Sequence, residues 1–525
     1  MTRKKDRGIT DSLLLEVYYS QLGSVEKTLK ELRKRGHTFG NALMRKRLRL
    51  AVENHLEEVK ATKAGSKDPT PSVPLKDGNY FLTAAQNNTK VHRGLFKTIQ
   101  RFCKDNKAQL LVAKFTYKKF GFMTPTSDSD SPDIWYDPCL LPYLVNEQKQ
   151  LGDFIFYANF DILPTAVNPL SGLESHSGTK DCAFPHAKLN MHSVPTLAMD
   201  KAKFMYTTGA CTLLNYIPKK SGQKAELHHV FGGLFVRVRG GKTTVIPISA
   251  EENTGHFSVY DKYWTPDGST RKDVFAINFG DIHKEKLDAE YDVQIRKEIG
   301  RLQPQHVFLH DVLDFEARNH HETKDKFSRF KKYSQGKDSV EKNVLDLIEW
   351  LNSLATDFPD VLFHVVPSNH NDALYKWANA TQPDNDYPNA EFYHFVNYIK
   401  LKHLREGGDA DDELIPLIAE ERDIFIDGNV IFHNRNESVN FFNIEFNLHG
   451  DLGANGARGN PRGYARLGFK ANTGHTHSCS IVNGIYTAGV AGKMYHGYNK
   501  GLSSWSNGFI ITYANGKRTI LTGYK

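Results

Sequence analysis

Cysteine is scarce in this chain: five residues in 525, at positions 103, 139, 182, 211 and 479. The count is odd and no CxxC spacing occurs, which argues against a disulfide framework or a zinc ribbon. A reducing, cytoplasmic compartment is the expectation. Long apolar runs are also lacking. Nothing approaches the run of about 20 residues needed to cross a bilayer. Met1-Thr2-Arg3-Lys4-Lys5 leads into no hydrophobic segment, so neither a signal peptide nor a membrane partner is expected. No low-complexity tract and no internal repeat is apparent. Charge of one sign does not dominate either. The net charge is +8 with 24% charged residues, so a partner must be argued from where basic residues cluster.

What is present is enough apolar material for sizeable cores, 39% hydrophobic and 11% aromatic, on a chain too long for one ordinary domain. Residues 1–62 read as three short helices. Leu13, Leu14, Val17 and Tyr18 form one stripe, and Val25, Leu29 and Leu32 a second. The third helix, from about Asn41, carries Arg45, Lys46, Arg47 and Arg49. This layout suits a helix-turn-helix module that contacts DNA through Arg45, Lys46 and Arg47, or equally a small bundle with a solvated basic face. Residues 63–78 have linker composition. Residues 79–268 read as a mixed α/β domain of unknown role, with strands at 80–82, 110–113, 154–157 and 234–238. Its polar clusters at His186, His192, Thr207-Thr208-Gly209 and His228-His229 lack ligand spacing and read as hydrogen-bonded structural groups.

From about residue 269 the pattern becomes strand, loop, helix. The apolar runs 274–279, 307–309 and 361–366 suit strands buried on both faces. Polar patches follow them: Asp281-Ile282-His283, Asp311-Val312-Leu313-Asp314 and Asn369-His370, then His449-Gly450 and Gly474-His475-Thr476-His477. Each supplies oxygen or imidazole ligands, and almost every one follows a run that suits a buried strand. A phosphoester hydrolase needs a strong nucleophile and neutralised non-bridging oxygens. Two divalent cations about 3.5–4 Å apart supply both. Such a pair needs a shared carboxylate, for which Asp311 is the natural choice, and separate oxygen and imidazole ligands. One Asp-x-His is ordinarily a structural or solvated feature; five patches in one order are not.

These motifs resemble the calcineurin-like metallophosphoesterase superfamily over residues 273–525: D-x-H, G-D-x-x-D, G-N-H-D/E, a lone His and G-H-x-H. The resemblance implies a four-layer α/β/β/α domain over 269–525. It implies one metal on Asp281, His283, Asp311 and His477, and a second on Asp311, Asn369, His449 and His475. It makes His370 the group that contacts the scissile phosphate and protonates the leaving group. Two turn glycines are replaced, by His310 and Ser368, and Asn371 stands where a carboxylate would orient His370. Asp372 is a candidate substitute. The stretches 85–89, 160–166, 497–501 and 503–505 resemble the early host-DNA-degrading nucleases of T-five-like coliphages.

The resemblance thus implies a DNA nuclease using two divalent cations, Mn²⁺ or Mg²⁺, with DNA as partner, in the cytoplasm of a host cell. Asp314, His320 and His321 are candidate substrate contacts, and Lys324, Lys326, Arg329, Lys331 and Lys332 are either a DNA-backbone track or a solvated face. A homo-oligomer is compatible with the sequence. Two other functions stay open: a phosphatase or small-molecule phosphodiesterase, and a DNA-binding regulator with a degenerate metal site.

Overall fold

A computed structural model describes residues 9–20, 25–37, 39–63, 77–117, 134–197, 200–272, 274–319, 325–380, 386–411, 413–497 and 499–523. The proposed linker, apart from its ends, and His320, His321 and Lys324 lie outside the described residues. The chain is a mixed α/β protein.

The first unit has helices Asp11–Ser20, Val25–Lys34 and Asn41–Lys63. Leu14, Val17, Leu29, Leu32, Met44 and Leu48 recur at helical spacing and close on one another as a separate small core. Gly36, at φ +85°, terminates the second helix.

The rest is built from two facing layers of sheet. A six-stranded sheet runs in the order Val430–Phe432, Leu362–Val365, His306–His310, Val274–Asp281, Gly508–Tyr513, Arg518–Thr522. Its first four strands are parallel, and the last two form an antiparallel hairpin. Alternate side chains leave its two faces. Ile277, Val307, Leu309 and Phe363 pack under helices Ala289–Leu302 and Val340–Asp357. Ala276 and Phe308 face Ile444 and Phe446. The runs are apolar on both faces because both are covered.

The facing layer is one ten-stranded sheet, and it crosses the boundary expected at residue 268. Half its strands come from residues 148–207 and half from 440–487, joined where Met191 pairs with Ile481. A second core likewise mixes the regions: Tyr80, Leu82, Phe154, Phe156 and Tyr206 pack with Ile481, Tyr486, Ile510 and Ile520. The middle and C-terminal regions therefore share sheet and core. Over the outer face of the ten-stranded sheet, the expected fourth helical layer is reduced to the short helix Pro461–Ala465 and loops.

Strand connectivity also reveals an internal repeat, which the sequence reading lacked. The middle region has a five-stranded sheet ordered Lys242–Ser249, Gly232–Arg239, Gly78–Gln86, Ala108–Phe115, Leu144–Val145. Its hairpin, antiparallel join and two parallel pairs reproduce the first five strands of the C-terminal sheet, read from that sheet's own hairpin; the C-terminal sheet adds a third parallel pair. In the ten-stranded sheet the two halves repeat the same succession of antiparallel, parallel, parallel and antiparallel pairs outward-in. Both halves even carry Tyr-Thr-x-Gly at the matching turn, Tyr206 to Gly209 and Tyr486 to Gly489. The Met191–Ile481 pair lies at the midpoint of this two-fold relation.

Candidate metal centre

The strand Val274–Asp281 ends in an irregularity. Its register slips between Phe279 and Asp281, at Gly280, where a Cβ would stand 1.6 Å from the Gly489 carbonyl oxygen. Only glycine fits, and the slip shifts the register at Asp281 while its backbone stays paired with His310 and Val490. Four residues of the patches adopt left-handed backbone without being glycine: His283 (φ +46°), Asp311 (+44°), His475 (+67°) and His477 (+56°). Each such residue costs on the order of 1–3 kcal/mol and persists where surroundings over-determine it. The turn expected to need glycine at 310 is thus made by straining the neighbouring Asp311, whereas neither Ser368 nor Asn369 is left-handed.

These turns bring the patches together. Asp281 Oδ2 lies 2.9 Å from His477 Nε2, and Asp281 Oδ1 accepts the His475 amide at 2.9 Å. His283 Nε2 sits 3.1 Å from His477 Nε2 and 3.8 Å from Asp311 Oδ2. Asp311 Oδ2 is 3.2 Å from His449 Nε2, and Asn369 Oδ1 is 3.1 Å from His475 Nδ1. Asp281, His283, Asp311, His449 and His477 are buried. One ligand atom from each of Asp281, His283, Asp311 and His477 falls within a sphere that a single ion could fill, and the same holds for His283, Asp314 and His370. Gly474 is required here, since a Cβ would meet Asp281 Oδ1 at 2.4 Å.

The donor set fits a cation. Both Asp311 carboxylate oxygens, Asp281 Oδ2 and both His449 ring nitrogens are buried and, for all the closeness of the Asp–His pairs, make no aligned hydrogen bond. Buried carboxylates are tolerated only when paired or metal-bound. Burial raises the Asp311 carboxyl, yet the neighbouring His449 and His370 imidazoles outweigh it and hold it far below its usual range. Burial lowers His449, but Asp311 and Asp281 lift it to about 9. The cluster wants positive charge: its carboxylates raise His449 and His283 against burial, while burial keeps His370 and His475 low.

His370 is buried 4.6 Å, ring to ring, from His283, and its Nδ1 donates to the Asp314 carbonyl at 3.2 Å. Asp372 does not orient it, because that carboxylate is held by Arg435 at 2.7 Å. Asn371 instead ties loops, accepting the Leu313 amide. Asp314, expected as a substrate contact, is buried with Oδ1 3.1 Å from His283 Nδ1, where it orients that ring. Arg45 and Arg47 are engaged inside their own unit, by Glu26 and Asp11, while Lys46 is exposed. Lys332 is buried and donates to the Glu316 carbonyl at 2.6 Å, so it is no part of a backbone track.

Sequence reasoning passed over three neighbours. Arg435 clamps Asp372 and Asp451. His496 stacks edge-on 4.8 Å from His283, and Trp505 stands 3.9 Å from His477. Trp505 lay within a quoted stretch; His496 and Arg435 carry no local signal.

The repeat supplies a comparison within the molecule. Matching Phe184↔Thr207 to Thr473↔Thr487, and Ala84↔Ala210 to Asp281↔Val490, puts Ala84 at the place of Asp281, His186 at His475 and Lys188 at His477. The adjoining pairs put Lys114 at Asp311 and Asn159 at His449. That set has no carboxylate and two ammonium groups. His186 is satisfied by the Lys188 amide (2.9 Å) and Leu163 carbonyl (3.1 Å), as expected for a structural histidine.

Fold and site define a mixed α/β protein with a buried Asp/His cluster able to hold a metal ion. The chain is 37% identical over 465 residues to Protein A1 of Escherichia phage T5, covering 85% of this chain and 82% of that protein, and it belongs to that protein's family. No family model and no solved structure matches. Among the described residues, no helix is long and apolar enough to cross a membrane.

Proposed function

We propose that this protein is a metal-dependent phosphodiesterase of the calcineurin-like type, acting on DNA. The observation that carries the reading is the convergence of Asp281, His283, Asp311 and His477 around one point. The Asp311–His449 and Asn369–His475 contacts beside it support a second ligand group. In this reading Asp311 would help to hold each of two divalent cations, Mn²⁺ or Mg²⁺. Bound there, such ions supply Lewis acidity to the phosphoryl oxygens and the attacking water. The chain's own residues do the rest. Asp314 and the Asp281 carboxylate fix the rings of His283 and His477. His370, with Nδ1 committed to a carbonyl, turns Nε2 toward substrate. Burial lowers this imidazole's pKa, while Asp311 raises it, and an incoming phosphate acts in the same direction as Asp311. His370 then gives its proton to the leaving oxygen.

DNA as substrate is supported by the likeness to phage nucleases in several stretches and by membership of a phage protein's family. The test is digestion of supercoiled and linear plasmid with a panel of Mn²⁺, Mg²⁺, Zn²⁺ and Ca²⁺, with Asp311→Ala as control. Cutting by the parent with Mn²⁺ or Mg²⁺, lost in the variant, is expected. Intact DNA under every metal, together with turnover of a chromogenic phosphodiester, would transfer the assignment to a small-molecule phosphodiesterase.

A further inference from the structure

The helix Lys326–Ser334 inverts the usual pattern. Its one buried side chain is a lysine, Lys332, while Phe327 (87% exposed), Phe330 (70%) and Tyr333 (65%) stand in solvent. At 100° per residue, Phe327, Phe330 and Tyr333 fall on one stripe, and Lys332 lies on the opposite side of the axis. Lys326 falls inside the aromatic stripe, and Arg329 and Lys331 flank it; all three are exposed. Three largely exposed aromatics on a nine-residue helix are not explained by core packing.

The helix is fixed to the metal centre. Asp325 caps it by accepting the Phe327 and Ser328 amides at 3.0 and 3.2 Å. Lys332 donates to the carbonyl of Glu316, two residues beyond Asp314, whose carboxylate holds His283. Lys286 links Asp314 and Glu316 again. The stripe is therefore presented on a short element pinned to the segment that carries Asp314.

We propose that this stripe is a base-stacking platform for single-stranded DNA, so that the strand to be cut is held unpaired beside the metal centre. The inference deepens the nuclease reading and rests on it for the choice of ligand. Aromatic rings alternating with cations match unstacked bases alternating with phosphates. A protein groove would favour the rings without the cations, and paired bases would not offer their faces. Stacking supplies affinity without sequence preference, and Lys326 and Lys331 supply the phosphate attraction.

The test uses the full chain and a labelled 20-nucleotide single strand, read by fluorescence anisotropy in EDTA so that nothing is cut. Phe327→Ser with Phe330→Ser is expected to weaken binding on the order of tenfold for each ring, with the salt slope retained. Lys326→Ala with Lys331→Ala is expected to lower the salt slope by about 0.7 per charge. An abasic strand of equal length should bind the parent and the Phe variant alike. Affinity within twofold of the parent in the Phe variant overturns the platform, as does equal loss on the abasic strand. Loss of binding to anionic phospholipid vesicles with no change on the oligonucleotide also overturns it. Far-ultraviolet circular dichroism and thermal melting show whether the variant is folded, and Phe330→Trp should restore affinity. Mn²⁺-dependent hydrolysis of a chromogenic phosphodiester by the unsubstituted chain reports separately on the catalytic reading.

Discussion

At the residue scale, the metal-centre side chains divide by what they hold. Asp281 and His477 face each other at 2.9 Å across the point where an ion would sit, whereas His370 is turned to a carbonyl and only neighbours His283. Loss of a ligand and loss of a proton donor should separate. Asp281→Ala and His477→Ala are expected to lose bound metal along with turnover. His370→Ala should retain metal and lose about 10²–10⁴ in turnover of a phosphodiester with a poor leaving group. Elemental analysis beside kinetics checks this, and equal metal loss in all three would refute the division. A second prediction concerns Asp181, buried at the start of a strand in the shared sheet. Burial pushes its carboxyl up to about 6, against the Lys201 ammonium and the Phe204 amide. The folded state then binds this proton more tightly than the unfolded chain, whose carboxyl titrates near about 3.9. The stability contribution is full below pH ~4 and is lost as pH rises to about 6. Asp181→Asn keeps the oxygen that accepts the Phe204 amide. It should stabilise the protein at pH 8, by at most about 3 kcal/mol, and change nothing at pH 4. Melting curves at the two pH values decide.

At the element scale, the ligand patches were legible because each is local: an apolar run long enough for a strand, then Asp, Asn or His where the chain leaves the sheet. What was illegible depends on pairing between distant segments. Arg435 is marked only by its partners Asp372 and Asp451, 63 and 16 positions away. The turns without glycine could not be judged either, because the cost of left-handed Asp311 and His475 is met by packing that no local pattern encodes. Helical spacing did define the first unit, whose apolar positions form their own core. Its ties to the remainder include ion pairs of Glu16 with Lys90 and Arg93, both 3.2 Å and partly exposed, each worth little. Leu32→Ala, at a fully buried position, should cost that unit about 2–5 kcal/mol. Limited proteolysis is expected to cut between residues 25 and 52 in this variant, while phosphodiester turnover and the main melting transition stay as in the parent. A fall in the main transition would mean that the unit supports the larger body.

At the scale of the whole molecule, the repeat and the shared sheet point the same way. One half keeps the carboxylates and imidazoles; the other has Ala84, Lys114, Asn159 and Lys188 at the matching places. Burial lowers Lys188 to about 8, and its ammonium donates to the Val167 carbonyl at 3.2 Å. A cation carried on a side chain stands at those places, and a scaffold role is expected of the middle half. The chain should accordingly bind two divalent ions and not four. The scaffold role is structural in a strict sense. Removing residues 79–268 would strip five strands from the ten-stranded sheet and uncover Ile481, Tyr486, Ile510 and Ile520, now at most 7% exposed. Fully exposing large aliphatic or aromatic side chains costs about 1.5–3 kcal/mol each, and the sheet would gain a raw edge at Ile481. The fragment 269–525, although it contains every proposed ligand, is therefore expected to aggregate or bind dye as a loosened state and to hold no stoichiometric metal. The fragment 77–525 should melt in one transition with both ions bound. A well-folded, metal-loaded 269–525 fragment would show that the shared core is dispensable and that the two halves are independent domains after all.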